Sequence, residues 1–157
     1  MSVQTTYSFR SATIGQAGQV DDTSLINVDS FAAEAEILFG KPLKRGTVPG
    51  TQALTWAEND ATVPVIGISV FAYNAVSPTT GVQLNKYSIG DTVGVISTGR
   101  VLVVAAVNVT AGQDAYVIVD DDATAGTFTN VALNNVKVGK FLSTATATTL
   151  TQLELNL

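Results

Sequence analysis

The chain has 157 residues, a net charge of −5 and a pI near 4.4, with 46% hydrophobic and only 13% charged residues. That length fits one domain with an arm and provides a real apolar core, and so few charges suggest that part of the surface is covered by another protein. The chain has no Cys and no His and only eight Lys and Arg residues, which excludes disulfides, thiolate and imidazole metal sites and Cys or His catalysis, and argues against a nucleic-acid partner.

Residues 1–20 are rich in Ser, Thr, Gln and Gly, with isolated Tyr7, Phe9 and Ile14. They carry no sustained period and no apolar signal core, and read as an extended arm that orders on a partner or as a frayed terminus. Residues 21–157 are expected to form a single β domain. Val and Thr, 21 residues each, branch at Cβ and favour a pleated surface. Residues 25–28 are a short strand candidate. Ala33, Ala35, Ile37 and Phe39 alternate with Glu34, Glu36 and Leu38, with a helical turn over 31–38 as the competing reading. Gly46, Pro49 and Gly50 mark a loop, 53–56 a short strand, and 63–71 a strong strand in which Gly67 signals a bulge or a close backbone approach.

Residues 74–85 read as a loop and 92–98 as a strand entered through Ile89-Gly90-Asp91. Residues 101–107 form an apolar run, followed by a Gly112-Gln113-Asp114 turn and a strand to Val119. Gly112 suits the positive φ of a tight turn, and Asp114 can accept from nearby backbone N–H groups. The two Gly turns echo one another. Asp120-Asp121-Asp122 opens a further turn, 136–143 is a strand, and Thr151, Leu153, Leu155 and Leu157 alternate cleanly. About eight to ten short strands define an all-β fold, a sandwich or a jelly-roll or barrel-like core. The longest apolar run is far too short for a membrane span.

No constellation supports catalysis. Asp120 to Asp122 lack the alternating ligand spacing of a calcium loop and read as a solvated turn. Gly94 and Gly99 have phosphate-loop spacing, but Arg100-Val101 stands where Lys-Ser/Thr is needed. Glu34, Glu36, Glu58 and Asp60 are loose candidates for paired carboxylates, and nothing singles them out. Asn108-Val109-Thr110 matches the glycosylation sequon but reads as a strand end. Trp56 would stack on a sugar if exposed. Lys41, Lys44 and Arg45 gather three of the eight basic residues within five positions, and read as a partner-binding cluster or a solvated loop flank. No cofactor or metal is expected.

The order of these motifs resembles the structural cement, or head decoration, proteins of tailed bacteriophages. The likeness is carried by the Tyr7 segment and Gly15-Gln16-Ala17-Gly18-Gln19-Val20-Asp21, by Phe39-Gly40-Lys41-Pro42-Leu43, and by Val65-Ile66-Gly67-Ile68-Ser69. It continues through Tyr87-Ser88-Ile89-Gly90-Asp91-Thr92-Val93, Gly99-Arg100-Val101-Leu102-Val103, Gly112-Gln113-Asp114-Ala115-Tyr116-Val117, Gly126-Thr127-Phe128-Thr129 and Val138-Gly139-Lys140-Phe141-Leu142. One departure is Gln113, which separates Gly112 from Asp114 where the family pattern joins them. The resemblance implies a non-enzymatic β protein of the virion, made in the host bacterial cytoplasm. It would sit on the outer capsid surface, bound to the major capsid protein and bridging capsomers. Copies would pair as dimers or trimers, and neither nucleic acid nor membrane would be a partner. Partner contact is expected from Tyr7, Phe9, Ile14, Lys41, Lys44 and Arg45. The competing readings are another virion module, in a tail or spike, and a carbohydrate-binding β-sandwich.

Overall fold

The computed structural model describes residues 15–57, 62–72, 85–119 and 124–157. Among these residues the chain is all-β. In chain order the strands are β1 (Val20–Ala33), β2 (Ile37–Leu38), β3 (Pro42–Arg45), β4 (Gln52–Thr55), β5 (Gly67–Ser69), β6 (Lys86–Tyr87), β7 (Thr92–Val104), β8 (Asp114–Val117), β9 (Phe128–Thr129), β10 (Val136–Phe141) and β11 (Leu150–Asn156). The helical alternative at 31–38 is not taken: β1 ends at Ala33, the chain bends, and β2 follows. The runs expected at 92–98 and 101–107 are one strand, β7, which continues through Gly99 to Val104.

One four-residue turn leads into six of these strands. In each, the residue before the strand donates its N–H to the carbonyl three residues back: Gln19 to Gln16, Asp91 to Ser88, Gln113 to Thr110, Thr127 to Thr124, Asn135 to Ala132 and Thr149 to Thr146. The third residue has positive φ: Gly18, Gly90, Gly112, Gly126, Asn134 and Thr148. That is the type II pattern, which places a left-handed residue at the third position. In three turns the last side chain closes the ring a second time, and in the first of them the Gln19 side-chain carbonyl accepts from the Gln16 N–H at 3.3 Å. The Asp91 carboxylate accepts from the Ser88 N–H at 2.7 Å, and the Gln113 carbonyl accepts from the Thr110 N–H at 2.8 Å. Gln113 therefore takes the place of Asp91 in the echoed turn rather than interrupting it. Asp114, expected to cap the turn, is the first residue of β8 instead, and its carboxylate takes the Lys137 ammonium at 2.8 Å.

Nine strands form one sheet in the order β1-β4-β3-β5-β7-β11-β10-β8-β9, and β1 also pairs with β7. That extra pairing closes β1, β4, β3, β5 and β7 into a ring. On the other side of β7, a parallel bridge from Ala105 to Phe128 joins its end to β9 and closes a second ring through β11, β10 and β8. The fold is thus the barrel-like alternative, built as two rings that share β7. Among the described residues, β1 and β4 are the one pair of named strands that run parallel. β2 and β6 form a separate two-stranded ribbon.

Each ring has its own core. Ala33, Ile37, Phe39, Leu43, Ala53, Tyr87, Val93 and Val95 fill the first, with the Phe39 ring edge-on to both Phe71 and Tyr87. The second contains Val101, Val103, Val117, Phe128, Phe141, Leu153 and Leu155, and reaches under the first ring through Trp56, Ile68 and Ile96. In β11 the expected alternation holds for Thr151, Leu153 and Leu155, which are buried, but not for Leu157, which lies past the strand and is exposed. Each fully buried leucine contributes about 2 kcal/mol. Gly67 in β5 marks a close approach: a Cβ there would run into the Ile96 carbonyl.

Candidate functional site

Of the six residues expected to bind a partner, the structure describes Lys41, Lys44 and Arg45. Tyr7, Phe9 and Ile14 lie outside the described residues. Lys44 and Arg45 end β3, where the Arg45 guanidinium donates to the Pro49 carbonyl at 2.6 Å and is tied into the β3–β4 hairpin. Lys41 precedes β3, about 13 Å from Arg45 along an extended chain, and faces elsewhere.

Lys41 lines a notch of about 440 Å³ between the rings, walled by Leu38 and Phe39 on one side and by Val104 and Leu150 on the other. Two turns shape this place. Gly18 and Gly40 pack back to back, so that a Cβ on Gly18 would lie 2.8 Å from the Gly40 nitrogen. The Gly18 N–H donates to the Leu102 carbonyl of β7 at 2.7 Å, and the Phe71 N–H donates to the Gly18 carbonyl at 2.7 Å. The turn before β3 is closed by a side chain from another strand. Buried Ser69 donates its hydroxyl to the Leu38 carbonyl at 2.7 Å and accepts from the Lys41 N–H at 3.0 Å. Burial pushes the Lys41 ammonium below its ordinary pKa.

A second surface unites residues that no sequence window contains. Asp22 of β1 stands opposite Arg100 of β7, Arg100 opposite Glu154 of β11, Glu154 opposite Lys140 of β10, and Lys140 opposite Asp114 of β8. Directly opposed residues project to the same face of a sheet. The result is a row of alternating charge across five strands. Arg100 reaches Asp22 at 3.2 Å and Glu154 at 3.5 Å. A register shift between Lys137 and Gly139 brings Lys137 onto the same face as Lys140, which strict alternation would forbid at a spacing of three. The Lys137 ammonium bonds Asp114, holding that carboxyl below and its own pKa above the ordinary value. Beside the row runs a groove of about 640 Å³, edged by Leu25, which is 79% exposed. Leu25 stands out because β1 carries extra residues between Asp22, opposite Arg100, and Asn27, opposite Thr98.

The remaining candidates resolve simply. Trp56 is 1% exposed and donates its indole N–H to the Val63 carbonyl, so it offers no stacking face. Glu34 accepts from the Thr47 N–H and hydroxyl, which lowers its pKa, while Glu36 pairs with Lys86 at 2.6 Å; they do not form an acid pair. Gly94 and Gly99 lie inside β7, in no phosphate loop. Asn108 accepts from the Ala147 N–H at 2.8 Å beside the Val109–Ala145 bridge. Glu58, Asp60 and Asp120 to Asp122 lie outside the described residues. Among the described residues, no three Asp or Glu side chains gather as metal ligands would.

A model of the structural cement protein family (E217 gp24/Pam3 gp6) matches residues 3–156. Among solved structures, a chain of the capsid of Myoviridae phage XM1 aligns with a TM-score of 0.70 at 20% identity, covering 99% of this chain and 98% of that one. The N base of head fiber gp8.5 in bacteriophage phi29 aligns with a TM-score of 0.48 at 14% identity, covering 84% and 95%. No curated protein matches the chain.

Proposed function

The chain belongs to the phage structural cement protein family, with a structural role at the capsid, and from that premise we propose that it binds the outer face of the assembled shell and bridges neighbouring capsomers. Its partner in this reading is the major capsid protein, and it is no enzyme. It is made in the host bacterial cytoplasm and added to the shell as dimers or trimers that match local symmetry. Neither nucleic acid nor membrane takes part.

The observation that carries this reading is the exposure of large apolar side chains on a chain with few charges. Leu25, Ile89 and Leu133 are 79, 76 and 77% exposed. Ile89 and Leu133 stand on turns closed by backbone bonds and Leu25 on a strand excursion, and each gains about 1.5–3 kcal/mol if a neighbour buries it fully. The arm with Tyr7, Phe9 and Ile14, and the cations Lys41, Lys44 and Arg45, add reach and polar register. A protein that binds the assembled shell and not the free subunit stabilises the shell by mass action.

The test is sedimentation with heads of the same phage that lack this protein, both compact and emptied, expanded ones. The protein should pellet with expanded heads and raise the temperature at which they fall apart. A protein that stays in the supernatant with both kinds of head would refute the reading.

A further inference from the structure

The notch between the rings combines two features that rarely occur together. Its walls are apolar: Phe39 is buried, and Leu38 and Val104 form a rim, 48% and 40% exposed. Lys41 is the one charged side chain that lines it among the described residues. Its ammonium makes no ion pair within them, whereas Lys86, Arg100 and Lys137 each have a carboxylate within 4.0 Å. A cation partly withdrawn from water with no counter-charge is destabilising. Burial lowers its pKa, and among the described residues no acid pairs with it. Such a group fits a fold in which the counter-charge arrives with a partner.

The chain's own arm does not supply that charge. Residues 1–14, which lead to the notch at Gly15, contain no Asp or Glu and bring a further cation, Arg10. We propose that the notch is a docking site for an extended segment of the capsid subunit, which lays an apolar side chain between Leu38 and Val104 and sets a carboxylate against the Lys41 ammonium. The assignment rests on the capsid-binding reading above and gives it a place. Lys44 and Arg45 do not line the notch and have no part in it.

Two measurements test it. Lys41→Met keeps the aliphatic stem and removes the charge. It should bind expanded heads at least about tenfold more weakly, as loss of a charge-assisted bond requires. Lys41→Arg should bind within about threefold of wild type, because it keeps the charge. The free Lys41→Met protein should unfold at the wild-type temperature or above, since an uncompensated ammonium has been removed. In the second measurement, Leu38→Cys in this cysteine-free chain carries a thiol-linked photocrosslinker. On heads it should join a capsid-subunit peptide that contains Asp or Glu. Wild-type affinity in Lys41→Met overturns the notch assignment and leaves capsid binding intact. So does a crosslink to residues 2–14 or to a second copy of this chain. Failure of the wild-type protein to bind heads at all overturns both. If Lys41→Met does not fold, the Leu38→Cys crosslink decides alone.

Discussion

Gly112 and Thr148 occupy the same position of the same turn, at φ values of 89° and 64°. For glycine that conformation is free; for threonine the Cβ crowds the following carbonyl, a cost of about 1–2 kcal/mol. A Cβ on Gly112 would meet nothing within 4 Å, so Gly112→Ala should lose only this conformational part, about 1 kcal/mol. Gly18 has the same backbone form, but a Cβ there would lie 2.6 Å from the Ser69 carbonyl oxygen and 2.8 Å from the Phe71 nitrogen. Gly18→Ala should cost about 2–4 kcal/mol, because crowding of backbone is added to strain. Thr148→Gly should gain about 0.5 kcal/mol, the relieved strain less the added freedom of the unfolded chain. Denaturant midpoints of the three variants check the order, and equal losses at 18 and 112 would rule it out. Acid acts through Glu34 at this same scale. The Thr47 hydrogen bonds depress its pKa, so their stabilisation is present above the ordinary carboxylate range and is lost as pH falls through the depressed value. Melting temperature should therefore fall less steeply on acidification in Glu34→Gln than in wild type, across roughly pH 5 to 3.

Arg100 lies between two carboxylates in the charge row, and its effect belongs to the strands rather than to any one pair. Its ion pairs are all more than a third exposed, so each is worth only about 0–1 kcal/mol. Arg100→Gln also removes the cation that stands between Asp22 and Glu154, on the strands flanking β7. The variant should lose about 0.5–1 kcal/mol at low salt, and the loss should shrink toward zero near 1 M, where screening acts within about 3 Å. Exchanging the two residues, Arg100→Glu with Glu154→Arg, should not restore it, because the exchange sets like charges opposite Asp22 and Lys140; a salt-independent deficit in the single variant would contradict this account. The row also shows where the sequence stops being readable. Turns were legible because Gly90 and Gly112, with Asp91 and Gln113, act on neighbours three residues away. β11 was legible because Thr151, Leu153 and Leu155 repeat with a period of two. Asp22, Arg100, Asp114, Lys140 and Glu154 are far apart in the chain, and a period of two says which face a residue takes but not which strand lies beside it. Lys41, Lys44 and Arg45 looked like a cluster for the opposite reason. They are close in sequence, yet Lys41 precedes the strand and turns into a notch whose other wall comes from Val104 and Leu150.

Neither ring closes without β7. The first needs β7 to pair with β1 and β5, and the second needs it to pair with β11 and to carry Ala105 to Phe128. Trp56, Ile68 and Ile96 then place first-ring elements inside the second core. Each ring alone would have roughly half the chain, a size at which a single core is marginal. We therefore propose that residues 21–157 are one folding domain with two cores rather than two domains in tandem. A cavity made in either core should then lower the stability of both. Leu43→Ala in the first ring and Phe141→Ala in the second, both fully buried in wild type, should each cost about 2–5 kcal/mol. Each should shift one cooperative transition as a whole, with calorimetric and van't Hoff enthalpies in agreement. Amide exchange should report the same coupling: in Leu43→Ala, the β10 and β11 amides should lose protection as the β3 and β5 amides do. If Leu43→Ala instead splits the melt into two steps and leaves β10 and β11 protected, the shared strand does not couple the rings. The fold would then be two units joined along β7, able to swing about Gly99 rather than span capsomers as one rigid piece.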